Sequence, residues 1–144
     1  MNCIEKIAWD PKCSVDATEI DMHQKKLCGL FNRLIDMKDT EKNPKKIIKV
    51  ICEINEYSEI YFRAEERYLE KNGYPDFGEH AKAHHRFIKR SIPLRKKVSA
   101  DIDNLTEVII ELKDGLMNHI LTMDSQYVPF LRIKKFIEKT AQKN

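Results

Sequence analysis

The sequence has only four glycines among its 144 residues. It also has almost none of the alternation between β-branched and polar residues that is typical of half-buried strands. Apolar residues recur instead with the period of the α-helix. These features argue against a sheet protein and predict an all-α fold. The length is that of one domain, so we expect residues 1–144 to form a single unit.

The sequence lacks the features of membrane proteins, secreted proteins and disulfide-rich proteins. No apolar run reaches the roughly 20 residues that a membrane-spanning helix needs, and the N-terminus, MNCIEKIAWD, has no apolar stretch of signal-peptide length. The four cysteines show neither CxxC spacing nor the density of a disulfide scaffold. We therefore expect a cytoplasmic protein without a membrane partner.

The formal net charge is small, at +3. Lysines gather near the C-terminus but have few aromatic residues between them: Lys134, Lys135, Lys139 and Lys143. This pattern favours a solvated helix face over a nucleic-acid-binding patch, so we expect no nucleic-acid partner. The sequence does not indicate an oligomeric state.

The chain begins with an irregular arm, residues 1–18, in which Trp9 is expected to anchor against the rest of the protein. A first amphipathic helix follows. Asn43 and Pro44 have the residue types of an N-cap and a first helical position, so they predict the start of a second helix. Asn72 and Gly73 are typical of its end.

A third helix is predicted to run from about Phe77 to the upper nineties, and Pro93, which lies inside it, should kink or end it. A fourth helix follows residue 104, and a last short helix is expected from Pro129 to about residue 141. Because the connections are short, neighbouring helices should run antiparallel. The predicted architecture is an up-down four-helix bundle with an irregular N-terminal arm and a short C-terminal helix.

Five residues on the predicted helices have side chains that commonly bind metals, and we call them the five-residue cluster: Glu65, His80, His84, His119 and Asp124. His80 and His84 are four residues apart and therefore share a helix face. His119 and Asp124 are five apart, which in a regular α-helix places them about 140° from each other. A π-bulge near residues 121–123 would bring them onto one face, and such bulges are frequent at functional sites.

Each of these residues alone has an ordinary interpretation, as a surface charge or as a hydrogen-bonded core histidine. Three imidazoles and two carboxylates in one bundle interior would be costly unless they bind a metal or are fully hydrogen-bonded. Their donor atoms suit a transition metal held inside a helical bundle. The five-residue cluster is thus a candidate metal site.

The chain resembles a single-domain bacterial hemerythrin over residues 9 to about 127. The resemblance includes Trp9 and the Glu65-Glu66 pair. It also includes the Gly-Tyr-Pro turn at residues 73–75, which precedes the His80-x3-His84 motif. Downstream, His-Ile at 119–120 is followed by Asp-x2-Tyr at 124–127.

This resemblance implies a non-haem di-iron centre that binds dioxygen inside a four-helix bundle. In the family, the residues matching His80, His84 and His119 hold one iron. The carboxylates matching Glu65 and Asp124 bridge the two irons. Two further histidines hold the second iron, and dioxygen binds there.

The chain departs from the family pattern at both of those further histidines. The family motif I-D-x-Q-H-K corresponds here to IDMHQK at residues 20–25, so Gln24 takes the ligand position. His23 lies about 100° around the helix from it. The motif H-F-x2-E-E begins here with Tyr61. The iron that binds dioxygen in the family is therefore the altered one.

Three functions remain open from the sequence. The first is a hemerythrin-like protein that binds or senses dioxygen, or a related small ligand, at a carboxylate-bridged centre with a second site remodelled around Tyr61, Gln24 or His23. The second is a mononuclear site of three histidines and carboxylates with oxidoreductase activity. The third is a degenerate bundle with a structural metal or none. We favour metal and oxygen binding over catalysis.

Iron is the expected metal, as one ion or two, although zinc or manganese would also accept these ligands. Tyr61 could bind ferric iron as a phenolate or remain a neutral, hydrogen-bonded phenol, and we favour the neutral form. Gln24 could offer an amide oxygen.

Overall fold

The computed structural model describes residues 3–142, which form five α-helices: α1 (Thr18–Thr40), α2 (Pro44–Lys71), α3 (Phe77–Ala100), α4 (Leu105–Asn118) and α5 (Ser125–Gln142). A π-helical segment, His119–Asp124, joins α4 to α5 without a break. The described residues contain no strand, so the predicted all-α fold is confirmed. Lys143, one of the C-terminal lysines, lies outside the described residues.

The helices form a closed four-membered arrangement. Helix α1 packs against α2 and α4, and α3 also packs against α2 and α4. Because the connections at residues 41–43, 72–76 and 101–104 are short, consecutive helices run antiparallel. The fourth member is the continuous run from α4 through the π segment into α5. The predicted four-helix bundle is confirmed.

Within residues 3–142, none of the helices combines the length and the apolar composition needed to cross a membrane.

The two ends of α2 follow their sequence signals. The Asn43 side chain accepts a hydrogen bond of 3.0 Å from the Lys45 amide, and Pro44 is the first helical residue. At the other end Gly73 has a φ of +69°. Its amide binds the Glu70 carbonyl and the Tyr74 amide binds the Leu69 carbonyl, the pair of bonds that defines a Schellman motif. Both predicted boundaries of α2 are confirmed.

Both Pro93 and Pro129 lie inside helices. Helix α3 continues past Pro93 to Ala100, so its predicted extent into the upper nineties is confirmed and the alternative that Pro93 ends it is not observed. Leu94 and Val98, beyond this proline, are buried in the core, and their packing favours continued helix. The last helix begins at Ser125 and not at Pro129, because it continues the π segment and buries Tyr127. The C-terminal helix is longer than expected for the same reason.

Two apolar clusters make up the core. The larger contains Phe62 on α2 and Ile120 on the π segment. The smaller contains Ala64 on α2 and Tyr127 on α5, together with residues of the N-terminal arm. On α2, residues of the larger apolar cluster are followed by residues of the smaller one close to Glu65. On the run from the π segment into α5, the same transition occurs close to Asp124. The polar site therefore sits between two apolar layers.

The conformation of Gly73 gives a stability test. A side chain there would meet no atom within 4 Å, so the cost of Gly73→Ala comes from its positive φ alone. We expect it to lower the free energy of unfolding by about 1–2 kcal/mol. Gly29→Ala, in the exposed middle of α1, should raise it by up to about 1 kcal/mol. Urea unfolding of both variants measures the difference, and equal effects would contradict this account of the α2 end.

Candidate metal centre

All members of the five-residue cluster are buried, and the structure brings them together. Each offers one nitrogen or oxygen atom, and these atoms all lie within 4.8 Å of one another. Helix α2 contributes Glu65, α3 contributes two histidines, and the π segment contributes His119 and Asp124. Three helical runs thus converge on one point in the bundle interior.

The π segment explains how two residues at a five-residue spacing can converge. It spans His119–Asp124 and so includes the residues where the bulge was predicted. One turn of π-helix aligns residues five apart, as one turn of α-helix does for residues four apart. His119 Nε2 lies 2.9 Å from Asp124 Oδ1. The predicted bulge is confirmed.

One oxygen of each carboxylate faces the imidazoles. Glu65 Oε1 lies 2.6 Å from His80 Nε2 and 2.7 Å from His84 Nε2. Asp124 Oδ1 lies 3.1 Å from His80 Nε2. The inner face of the cluster therefore consists of three Nε2 atoms and two carboxylate oxygens.

The carboxylates and imidazoles of the five-residue cluster shift one another's pKa values. Burial lowers the pKa values of His80 and His119, but the two nearby carboxylates outweigh it and raise them to about 9 and about 10. Burial raises the Glu65 pKa, yet its contacts with the three histidines hold it well below its usual value. Without a metal, protonated imidazoles balance the carboxylates, and a bound cation would displace those protons.

The cluster could hold a metal ion. Within the described chain, His119 Nε2 and Asp124 Oδ1 are buried and make no hydrogen bond, although they are close together. Buried polar atoms without a partner are costly. A cation between them would satisfy both atoms. Imidazole nitrogens combined with carboxylate oxygens are a typical ligand set of first-row transition metals.

The second oxygen of each carboxylate meets hydrogen-bond donors instead. Glu65 Oε2 accepts a hydrogen bond of 2.8 Å from the Tyr127 hydroxyl, and the Tyr61 hydroxyl lies 3.5 Å from it. Asp124 Oδ2 accepts from the Tyr61 hydroxyl and, at 3.3 Å, from Gln24 Nε2. We call Gln24, Tyr61 and Tyr127 the donor cap. All three are fully buried.

Trp9 fixes the orientation of the Gln24 amide. Its indole Nε1 donates a 2.9 Å hydrogen bond to Gln24 Oε1. An indole N–H can only donate, so the atom that faces it must be the amide oxygen. The amide nitrogen then faces Tyr61, whose hydroxyl oxygen lies 3.1 Å away, and Asp124. The amide-oxygen ligand suggested from the sequence is therefore not available to a metal in this arrangement.

Tyr61 has the contacts of a neutral phenol. Its hydroxyl donates to Asp124 and accepts from Gln24. Burial, followed by the negative charges of Asp124 and Glu65, raises the Tyr61 pKa well above its usual value. These observations support the neutral form that the sequence favoured.

His23 lies away from the five-residue cluster. Its Nδ1 is 2.6 Å from the Tyr57 hydroxyl, and its Nε2 is 3.7 Å from Glu19 at the surface. Its neighbour Gln24 is fully buried, as expected for positions about 100° apart on one helix. The structure therefore does not bring His23 to the five-residue cluster.

Two contacts of the site had not been inferred from the sequence. Glu66 Oε2 lies 3.1 Å from His84 Nδ1, on the opposite side of that ring from Glu65. Nothing in the spacing of α2 and α3 could have paired Glu66 with His84. The second contact is the hydrogen bond from the Tyr127 hydroxyl to Glu65 Oε2. Tyr127 follows Asp124 by three residues, a spacing that could have signalled a shared face.

The Phe62 ring stacks on His84, with centroids 4.0 Å apart.

Comparison with known proteins agrees with the fold and with a cation-binding domain. Residues 15–131 match the family model of the hemerythrin HHE cation binding domain. The bacteriohemerythrin of Stenotrophomonas maltophilia is 28% identical over 121 residues, which cover 84% of this chain and 78% of that protein. The bacteriohemerythrin of Methylococcus capsulatus is 30% identical over 112 residues, covering 77% and 85%. A crystal structure of wild-type hemerythrin aligns with a TM-score of 0.75 at 26% identity, covering 85% of this chain and 95% of that one.

The contact between Glu66 and His84 predicts a positioning role. An acceptor on Nδ1 keeps the Nε2 of His84 free of a proton and aimed inward. Glu66→Ala should weaken metal binding about ten- to hundredfold, whereas Glu66→Gln keeps an acceptor oxygen and should lose less. Competition with a chelator gives the dissociation constants. Glu59→Ala is the control, because Glu59 lies on the same helix and pairs with Arg63 at 3.9 Å. Equal affinities in the two alanine variants would contradict this role.

Proposed function

The chain belongs to the hemerythrin family, and we propose that it binds iron through the five-residue cluster and presents it to dioxygen or another small ligand. The observation that carries this proposal is the convergence of five buried donor atoms within 4.8 Å. The three imidazoles would bind through Nε2, and the carboxylates through Glu65 Oε1 and Asp124 Oδ1. These five atoms would hold the first ion whether or not a second one binds, so the proposal does not depend on the number of ions.

When bound, iron would supply a redox-active centre with affinity for small ligands. The chain provides five donor atoms, which leave one position of a six-coordinate ion for such a ligand. Phe62 packs against the rings of both His84 and His119, with centroids 4.0 and 5.3 Å away, and shields them from water. A low-dielectric surrounding of this kind strengthens every charge interaction within the site.

Solvent reaches the outer edge of the site beside His84. A surface cavity of about 190 Å³ is lined by Phe62, Glu66 and His84, among others. This position supports binding of a small ligand better than binding of a large substrate.

A second candidate is an oxidoreductase with a mononuclear centre. It is favoured by the histidine-rich ligand set with one open position, and by the hydrogen bonds that occupy the outer oxygens of both carboxylates. The two candidates differ in whether dioxygen is bound or consumed. An oxygen electrode, used with the iron-loaded protein and an added reductant, separates them.

Removal of one imidazole tests the proposed ligands. His84→Ala should lose most of the bound metal, because a donor nitrogen is removed and the carboxylate beside it becomes an unpaired buried charge. His85→Ala is the matched control, since His85 is adjacent but exposed. Metal content per chain is measured after purification without a metal-binding tag, together with circular dichroism to verify the fold. Unchanged metal in His84→Ala would contradict the proposal.

Reversible dioxygen carriage of the usual hemerythrin kind should be weak or absent. Gln24 and Tyr61 stand where the family has the histidines of its oxygen-binding iron, and both side chains are engaged in hydrogen bonds. The reduced, iron-loaded protein is exposed to dioxygen and then evacuated while its visible spectrum is recorded. A stable oxygenated spectrum that reverses fully under vacuum would show this prediction to be incorrect.

A further inference from the structure

Each carboxylate of the five-residue cluster divides its two oxygens between different partners. Glu65 Oε1 and Asp124 Oδ1 face the histidines. Glu65 Oε2 and Asp124 Oδ2 face the donor cap. A carboxylate that bridges two metal ions must give one oxygen to each ion. In this chain the oxygens that a second ion would need are already hydrogen-bonded.

We infer that this chain binds a single metal ion, because Gln24 and Tyr61 of the donor cap fill the place of a second one. The inference rests on the proposed function of the five-residue cluster as a metal site. It adds that Gln24 and Tyr61 are not ligands of any metal. They are positioning residues that hold Asp124 so that its Oδ1 faces the histidines.

The atoms that the donor cap presents are unsuited to a cation. The Gln24 amide nitrogen has no available lone pair and directs its hydrogens towards Asp124 and Tyr61. The Tyr61 hydroxyl directs its hydrogen towards Asp124. A cation at this position would meet the positive ends of these N–H and O–H groups.

Rearrangement of the donor cap would require breaking several buried hydrogen bonds together. Turning the Gln24 amide would place its nitrogen against the Trp9 indole, which is itself a donor 2.9 Å away. It would also remove a donor from Asp124, and each buried group left without a partner costs about 1–3 kcal/mol. Lys25 lies over the Trp9 ring, 4.3 Å from its centroid, and adds a contact that holds the indole in place.

Counting metal ions per chain tests the inference. The tag-free, metal-free protein is reconstituted with excess ferrous iron without oxygen, and unbound iron is removed by gel filtration. We expect one iron per chain in the wild type. The double variant Gln24→His plus Tyr61→His replaces two donors with imidazoles that can bind a metal, and it should bind two. Gln24→His and Tyr61→His alone are the matched controls, and each should remain at one.

EPR spectroscopy gives a second test of the number of irons per chain, and it does not depend on the measured protein concentration. After oxidation, one isolated ferric ion gives a high-spin EPR signal, whereas two irons coupled through bridging carboxylates largely lose it. Circular dichroism verifies that the double variant folds. If it does not fold, the wild-type stoichiometry and EPR signal still decide the question.

Each outcome has a distinct meaning. One iron in the wild type and two in the double variant support the inference. Two irons in the wild type would overturn it and leave the proposed function intact. No iron in the wild type would instead overturn the proposed function itself. A folded double variant that still binds one iron would show that the donor cap is not what excludes the second ion.

Discussion

The burial of Glu65 and Asp124 is the constraint on which the rest of the site depends. Two charged carboxylates are costly in a bundle interior unless hydrogen bonds, ion pairs or a metal compensate them. The inner oxygens face three histidines, and the outer oxygens accept from the donor cap. These partners come from all four helical runs. The need of these two carboxylates for partners therefore constrains how the four helical runs pack together.

The π segment and the apolar layers follow from this constraint. A regular helix would turn Asp124 away from His119, and the bulge keeps them 2.9 Å apart. Downstream of the bulge, Tyr127 faces inward and can donate to Glu65. Apolar residues on both sides keep water out, so a missing partner inside the site would be costly.

Local signals predicted much of this arrangement, and tertiary contacts supplied the rest. The ends of α2 were predictable because Asn43, Pro44 and Gly73 act on their own turns. The bulge was predictable because two inward residues at a five-residue spacing required it. The orientation of Gln24 was not, since it depends on Trp9 in an arm without helical periodicity. The continuation of α3 past Pro93 was part of its predicted extent, and packing against other helices outweighs the local penalty there.

The charges of the site suit the binding of a cation. The two carboxylates carry two negative charges, and the donor cap is neutral. The carboxylates raise the pKa values of His80 and His119, so both imidazoles hold protons near neutral pH. One divalent cation can replace those two protons and leave the buried site neutral. Gln24 and Tyr61 take no part in this exchange, because their hydrogens are already directed at Asp124. Metal binding therefore requires a change of protonation at the histidines and no rearrangement of the donor cap.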